Sequence, residues 1–113
     1  MHELGIIYKI AERVMEAVEE NQLSEVEAIV LTVGENTGIV PSYLHACYPA
    51  AVDGTLLEKT ILEIKEVTAN GVCDECAQVF AIFKNESKCP HCSNITFDVI
   101  SGDEFMIKEI RAR

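Results

Sequence analysis

Apolar residues first recur at helical spacing. Leu4, Ile7, Tyr8, Ala11, Val14, Met15 and Val18 fall on one side of a helix over residues 3–20. Lys9, Glu12, Arg13, Glu16, Glu19 and Glu20 take the other side, and Asn21 is a fitting stop. The period then changes. Residues 25–34 contain Ala28-Ile-Val-Leu-Thr-Val33, apolar on both alternating faces, which predicts a central strand covered by a helix on at least one side. Gly34 to Gly38 reads as a loop. A second helix is expected over Pro41–Val52, with Leu44, Cys47 and Ala51 on one face and Ser42 as its cap. Pro49 should break that helix or restart it, since proline removes a hydrogen bond in a helix interior. In residues 59–67, Leu62 and Ile64 alternate with Glu63 and Lys65, the pattern of a strand buried on one side.

Beyond that point the elements are short. Asn70-Gly71 reads as a turn, and Val79–Phe83 as a hairpin arm pairing with the residues after it. Phe97–Ile100 reads as an extended run, Ser101–Asp103 as a turn and Phe105–Ile110 as a last strand returning to the first sheet. The order predicts an α+β fold: a small mixed sheet with two helices, interrupted by an inserted lobe. Residues 1–70 and 98–113 should form the first domain and 71–97 the insert.

The insert carries the strongest chemical signal. Cys73-Asp-Glu-Cys76 and Cys89-Pro-His-Cys92 are two Cys-x-x-Cys pairs separated by twelve residues. Each pair can turn tightly and aim both sulfurs at one ion, and four thiolates select zinc first and iron second. A closed four-sulfur shell keeps no position open for catalysis, so its role is structural. A thioredoxin-like redox motif would be a single pair opening a helix, and a disulfide framework would accompany a secretory signal; neither pattern is present. His91 should face solvent between two ligands, His45 should be partly buried, and Cys47, the odd thiol, should be a small core residue.

Composition narrows the partners. The 113 residues are 49% hydrophobic, enough for a packed core in one modest domain. No apolar run approaches the about 18 residues of a membrane helix, and the start is acidic where a signal peptide is basic, so a cytoplasmic protein with no membrane partner is expected. The net charge of −10 opposes nucleic-acid binding, and Lys84 and Lys88 are too few to make the cysteine loop basic.

The other chemical candidate is Met1-His2-Glu3. His2 is too large for efficient methionine removal, so a free Met1 amine is expected. That amine, the His2 main-chain nitrogen and the His2 imidazole can chelate one ion in fused rings. Nitrogen donors in a plane suit Ni(II) or Cu(II). A first-turn amide has no partner within its helix, so deprotonating it breaks no helical bond. Glu3 can add its amide or its carboxylate. The bland alternative is an exposed terminal histidine.

Taken together, the Met-His-Glu start ahead of an amphipathic helix and the late Cys-x-x-Cys and Cys-Pro-x-Cys pairs resemble the HypA/HybF family of hydrogenase nickel-incorporation proteins. Val33-Gly-Glu35, Ala51-Val-Asp-Gly-Thr55 and Ser101-Gly-Asp-Glu104 extend the likeness over essentially the whole chain. The resemblance implies a non-enzymatic metallochaperone with a nickel-binding domain and a separate zinc-ribbon-like domain. It implies transported Ni(II) held at Met1, His2 and Glu3, and structural Zn(II) held by Cys73, Cys76, Cys89 and Cys92. Implied partners are a nickel-handling maturation GTPase, the [NiFe]-hydrogenase large subunit and, in some organisms, the urease maturation proteins, with the chain a monomer or weak homodimer. The rival is a zinc-ribbon interaction module with no nickel role.

Overall fold

The computed structural model describes residues 3–113. The expected roles of Met1 and His2 lie outside those residues. Helix α1 (Glu3–Glu20) is followed by β1 (Val26–Gly34), α2 (Pro41–Val52), β2 (Ile61–Val67), β3 (Asn70–Cys73), β4 (Val79–Ala81), β5 (Phe97–Ser101) and β6 (Phe105–Ala112). They build an α+β fold with two three-stranded sheets, ordered β2-β1-β6 and β4-β3-β5. None of the described helices is long and apolar enough to cross a membrane.

In the first sheet β1 is central, parallel to β2 and antiparallel to β6. Ile29, Leu31 and Val33 on one face of β1 enter the core, with Leu62 and Ile64 beside them on β2. Both helices pack there, through Ile7, Val14 and Val18 of α1 and Leu44 and Ala51 of α2. The helical stripe is rotated slightly from its sequence reading: Ile10 is buried, whereas Leu4 and Tyr8 stay half exposed. The opposite face of β1 has no helix in the core cluster, yet Val30 is only 2% exposed. Register sets it between Glu63 and Glu109, and Arg111 pairs with both carboxylates, so salt-bridged stems flank the valine.

Helix α2 neither breaks nor restarts at Pro49. Pro49 and His45, whose carbonyl the proline leaves without its amide, are exposed, so water can satisfy that carbonyl. The other face holds the helix through Leu44, Tyr48, Ala51 and Val52, all buried. The cap is also a correction. Ser42 lies inside the helix, Val40 is the N-cap and Pro41 takes the first turn.

Asn70-Gly71 is strand, not turn. It starts β3, the centre of the second sheet, and β4 pairs back onto β3 rather than with residues beyond itself. Residues 98–101, expected in the first domain, belong to β5 and pair with β3. The chain rejoins the first sheet only at Phe105, which is paired with Val33. The molecule is elongated, 54 × 24 × 16 Å, with a radius of gyration of 17.7 Å. A single compact ball of this length would have about 13 Å.

The two strand connections between the sheets cross in a tight neck. The Ala69 N–H donates to Glu35 Oε1 at 2.9 Å, Ser101 Oγ donates to the Thr68 carbonyl at 2.8 Å, and the Asn70 N–H donates to Ser101 Oγ at 3.2 Å. The Asn36 N–H reaches the Gly102 carbonyl at 2.8 Å, and the Gly34 N–H reaches that of Glu104 at 2.7 Å. Ala69 is fully buried, and a Cβ on Gly102 would lie 2.4 Å from its Cα. Glycines stand here because main chain meets main chain.

Candidate metal centre

Two equivalent turns carry the cysteines. In the first, the Ala77 N–H donates to the Cys73 carbonyl at 3.0 Å and the Cys73 N–H to the Gln78 carbonyl at 3.0 Å. In the second, the Ser93 N–H donates to the Cys89 carbonyl and the Cys89 N–H to the Asn94 carbonyl, both at 2.9 Å. Each turn closes on a left-handed residue, Ala77 at φ 60° and Ser93 at φ 64°. The repeat is what sets both cysteines of each pair toward one point.

All four sulfurs lie within 4.8 Å of one another. The nearest pairs are Cys73–Cys92 at 3.4 Å and Cys76–Cys89 at 3.5 Å. A tetrahedral zinc with bonds of about 2.3 Å sets its sulfurs about 3.8 Å apart, so the donor set fits. The separations exceed a disulfide's roughly 2.05 Å, and neither pair opens a helix as a thioredoxin-like motif would. The Asn94 side-chain amide points at Cys73 Sγ from 3.7 Å. His91 is exposed, as its place between two ligands suggests.

Proton affinities are spread across the cluster. The Cys76 amide, with lesser help from Glu75 and the neighbouring sulfur of Cys92, holds the Cys73 thiol down to about 6. The Asn94 amide lowers Cys92, but the Cys73 sulfur and desolvation outweigh it and push Cys92 up to about 12. Around Cys76 the Gln78 amide lowers the value, while desolvation and the Cys89 and Cys73 sulfurs leave it raised overall. In this geometry without an ion, then, Cys73 carries negative charge while Cys76 and Cys92 keep their protons. A divalent cation removes that conflict by replacing the protons.

The lobe depends on this centre for its core. Its buried cluster is Ala69, Cys73, Phe80, Ile82 and Cys89, with Cys76 and Phe97 against it. Phe80 and Phe97 meet edge to face at 5.3 Å. Three of these seven residues are ligands, too little apolar burial to hold about thirty residues without a metal.

At the other end of the molecule, Glu3 is 5% exposed, and its Oε2 accepts the Val40 N–H at 3.1 Å. This carboxylate ties the start of α1 to the N-cap of α2, a role the sequence did not signal. His45 is exposed rather than partly buried, and Cys47 sits half-buried against the main core. Among the described residues the four cysteines are the one metal-ligating cluster.

Comparison with known proteins agrees with this architecture. Residues 1–112 match the family model described as "Hydrogenase/urease nickel incorporation, metallochaperone, hypA". A hydrogenase maturation factor HypA of Chlorobium limicola is 34% identical over 110 residues, covering 97% of this chain and 95% of that protein. One from a Nostoc species is 37% identical over 110 residues, covering 97% and 94%. The solution structure of the Ni metallochaperone HypA from Helicobacter pylori superposes with a TM-score of 0.66 at 20% identity, covering 99% of this chain and 97% of that one. A second solution structure of a HypA protein gives 0.70 at 19%, covering 100% and 97%. At those identities the two structures speak for the fold.

Proposed function

The chain belongs to the HypA family of hydrogenase/urease nickel-incorporation metallochaperones, and from that premise we propose that it captures Ni(II) at its N-terminus and hands it to [NiFe]-hydrogenase during maturation. It acts as a carrier, not a catalyst, in the cytoplasm. The observation that carries this reading is the family match from residue 1 to residue 112, which includes the Met1-His2-Glu3 start. Nickel is the cargo. The Met1 amine, the His2 amide and imidazole and the Glu3 amide offer it nitrogen donors. Glu3 adds its amide or the free oxygen of its carboxylate, whose Oε2 accepts the Val40 N–H. By holding α1 against α2, that carboxylate steadies the helix that follows these donors in the sequence.

Capture at a chain end suits transfer. A terminal site leaves one side of the ion open to an acceptor's ligands, and hand-over requires only that the docked acceptor bind more tightly. The four-cysteine lobe holds Zn(II) structurally and is a separate domain spanning about residues 71–101. Partners of this reading are a nickel-handling GTPase and the hydrogenase large subunit, with urease maturation proteins as a further destination.

Nickel titration of untagged, zinc-loaded protein by calorimetry tests the proposal. The native chain should bind one equivalent, and His2→Ala should lose at least about 100-fold in affinity with zinc content unchanged. Undiminished nickel binding by His2→Ala would refute the terminal site.

A further inference from the structure

Asn94 follows the second cysteine turn and touches both turns. Its carbonyl accepts the Cys89 N–H at 2.9 Å, and its main-chain N–H donates to the Cys92 sulfur. Its side chain crosses to the first turn. The side-chain NH2 points at Cys73 Sγ from 3.7 Å and donates to the Thr96 carbonyl at 3.0 Å. That carbonyl also accepts the Asp74 N–H at 3.2 Å, beside the point where Phe97 pairs with Cys73. A sulfur and a carbonyl are both acceptors, so the NH2 end of the amide, with its two donors, is the end that must face them.

The other donors to these sulfurs are local. The main-chain amides of Cys76 and Glu75 serve Cys73, that of Gln78 serves Cys76 and that of Asn94 serves Cys92, each within its own turn. Among the described residues, Asn94 is the one side chain other than a cysteine that donates to any of the four sulfurs. Charge makes this contact matter. Four thiolates outweigh one divalent cation by about two negative charges. A hydrogen bond to an ionised acceptor is about twice as strong as a neutral one. Cys73 is only 2% exposed, so water has little access to replace the amide there, whereas Cys92 is open to solvent.

We propose that Asn94 is the positioning residue of the metal centre: its side-chain amide fastens the second cysteine turn to the first and offsets the charge on the Cys73 thiolate. The proposal rests on the four cysteines holding one ion.

That premise is checked first, on the full chain loaded with an NMR-active cadmium isotope. Coupling from cadmium to the β-protons of all four cysteines is expected, and its absence overturns the four-sulfur centre and the proposal with it. Two variants then test Asn94 itself. In competition with a chelator, Asn94→Ala should lose zinc affinity about tenfold. Asn94→Asp keeps the shape but sets a carboxylate against the thiolate, and should lose about 100-fold, both within the usual range for groups that orient a metal ligand. Loaded with Co(II), both variants should shift the thiolate-to-cobalt charge-transfer bands to lower energy, because a thiolate without its hydrogen bond gives up electron density more readily. Cadmium coupling as expected, with bands that stay at the native energy, overturns the proposal alone, even where zinc affinity falls, since Asn94 would then act only through Thr96. Native zinc affinity in both variants overturns it as well.

Discussion

Gly34 and Gly102 meet main chain to main chain: a Cβ built on Gly34 would lie 2.1 Å from the Gly102 carbonyl oxygen and 2.9 Å from the Glu104 nitrogen. Neither obstacle is a side chain that can swing away. Gly34→Ala should therefore spread the neck and destabilise the protein by about 3 kcal/mol, at the upper end of ordinary overpacking costs. Urea denaturation followed by circular dichroism would measure it, and a loss below about 0.5 kcal/mol would show the neck to be loose.

Glu35 should matter through a single atom. Its Oε1 accepts the N–H of fully buried Ala69. Glu35→Ala leaves that donor without a partner, at about 1–3 kcal/mol. Glu35→Gln keeps a carbonyl oxygen in place and should recover most of the loss. Amide exchange at Ala69 should quicken in the alanine variant and stay near native in the glutamine one.

Zinc binding should release protons and strengthen with pH. The folded geometry raises Cys76 and pushes Cys92 up to about 12, so these two keep their protons until an ion arrives, and in the unfolded metal-free lobe they are protonated at pH 7 as ordinary thiols are, near about 8.5. Coordination deprotonates them, so at least about two protons leave per ion and apparent affinity gains at least roughly 100-fold per pH unit near neutrality. Calorimetry in buffers of different ionisation enthalpy would count the protons.

Chelation should unfold the second lobe and spare the first. Three of the seven residues of the small core are ligands, whereas the cluster between α1, α2 and β1 contains none of the four. After zinc removal, amide protection should vanish in β3, β4 and β5 and persist in β1. Loss of protection in both lobes would show that the neck couples their folding.

Tyr48 should titrate late. Burial pushes its phenol up to about 12, and its hydroxyl donates to the Thr60 carbonyl at 3.0 Å. The folded value exceeds the unfolded one of about 10, so this stabilisation is complete below pH 10 and disappears as pH rises through 12. Tyr48→Phe should cost about 1 kcal/mol at neutral pH and remove the latest step from the ultraviolet tyrosinate titration.

Much of this was legible in the residues because it depends on local pattern. Periodicity placed α1, β1 and β2, and the spacing of Cys73, Cys76, Cys89 and Cys92 marked the metal centre. Where the reading slipped, a distant partner outweighed a local preference. Asn70-Gly71 is a turn pair by composition, but β4 and β5 both pair with it, making it strand. Pro49 is a helix breaker, but Leu44, Tyr48 and Ala51 hold the helix by their buried face.

By itself the sequence determined the four-sulfur ligand set and the amphipathic helix, because a Cys-x-x-Cys turn and a 3.6-residue period each act over a few neighbouring residues. Only the tertiary structure decided what Val33-Gly-Glu35 and Ser101-Gly-Asp-Glu104 are for. These segments lie almost seventy residues apart, and no local rule links them. Folding sets Gly34 on Gly102 and Glu35 on Ala69, and so makes the neck that joins the two sheets. Glu3 is of the same kind: an acid in a helix's first turn until folding sets its carboxylate against the Val40 amide.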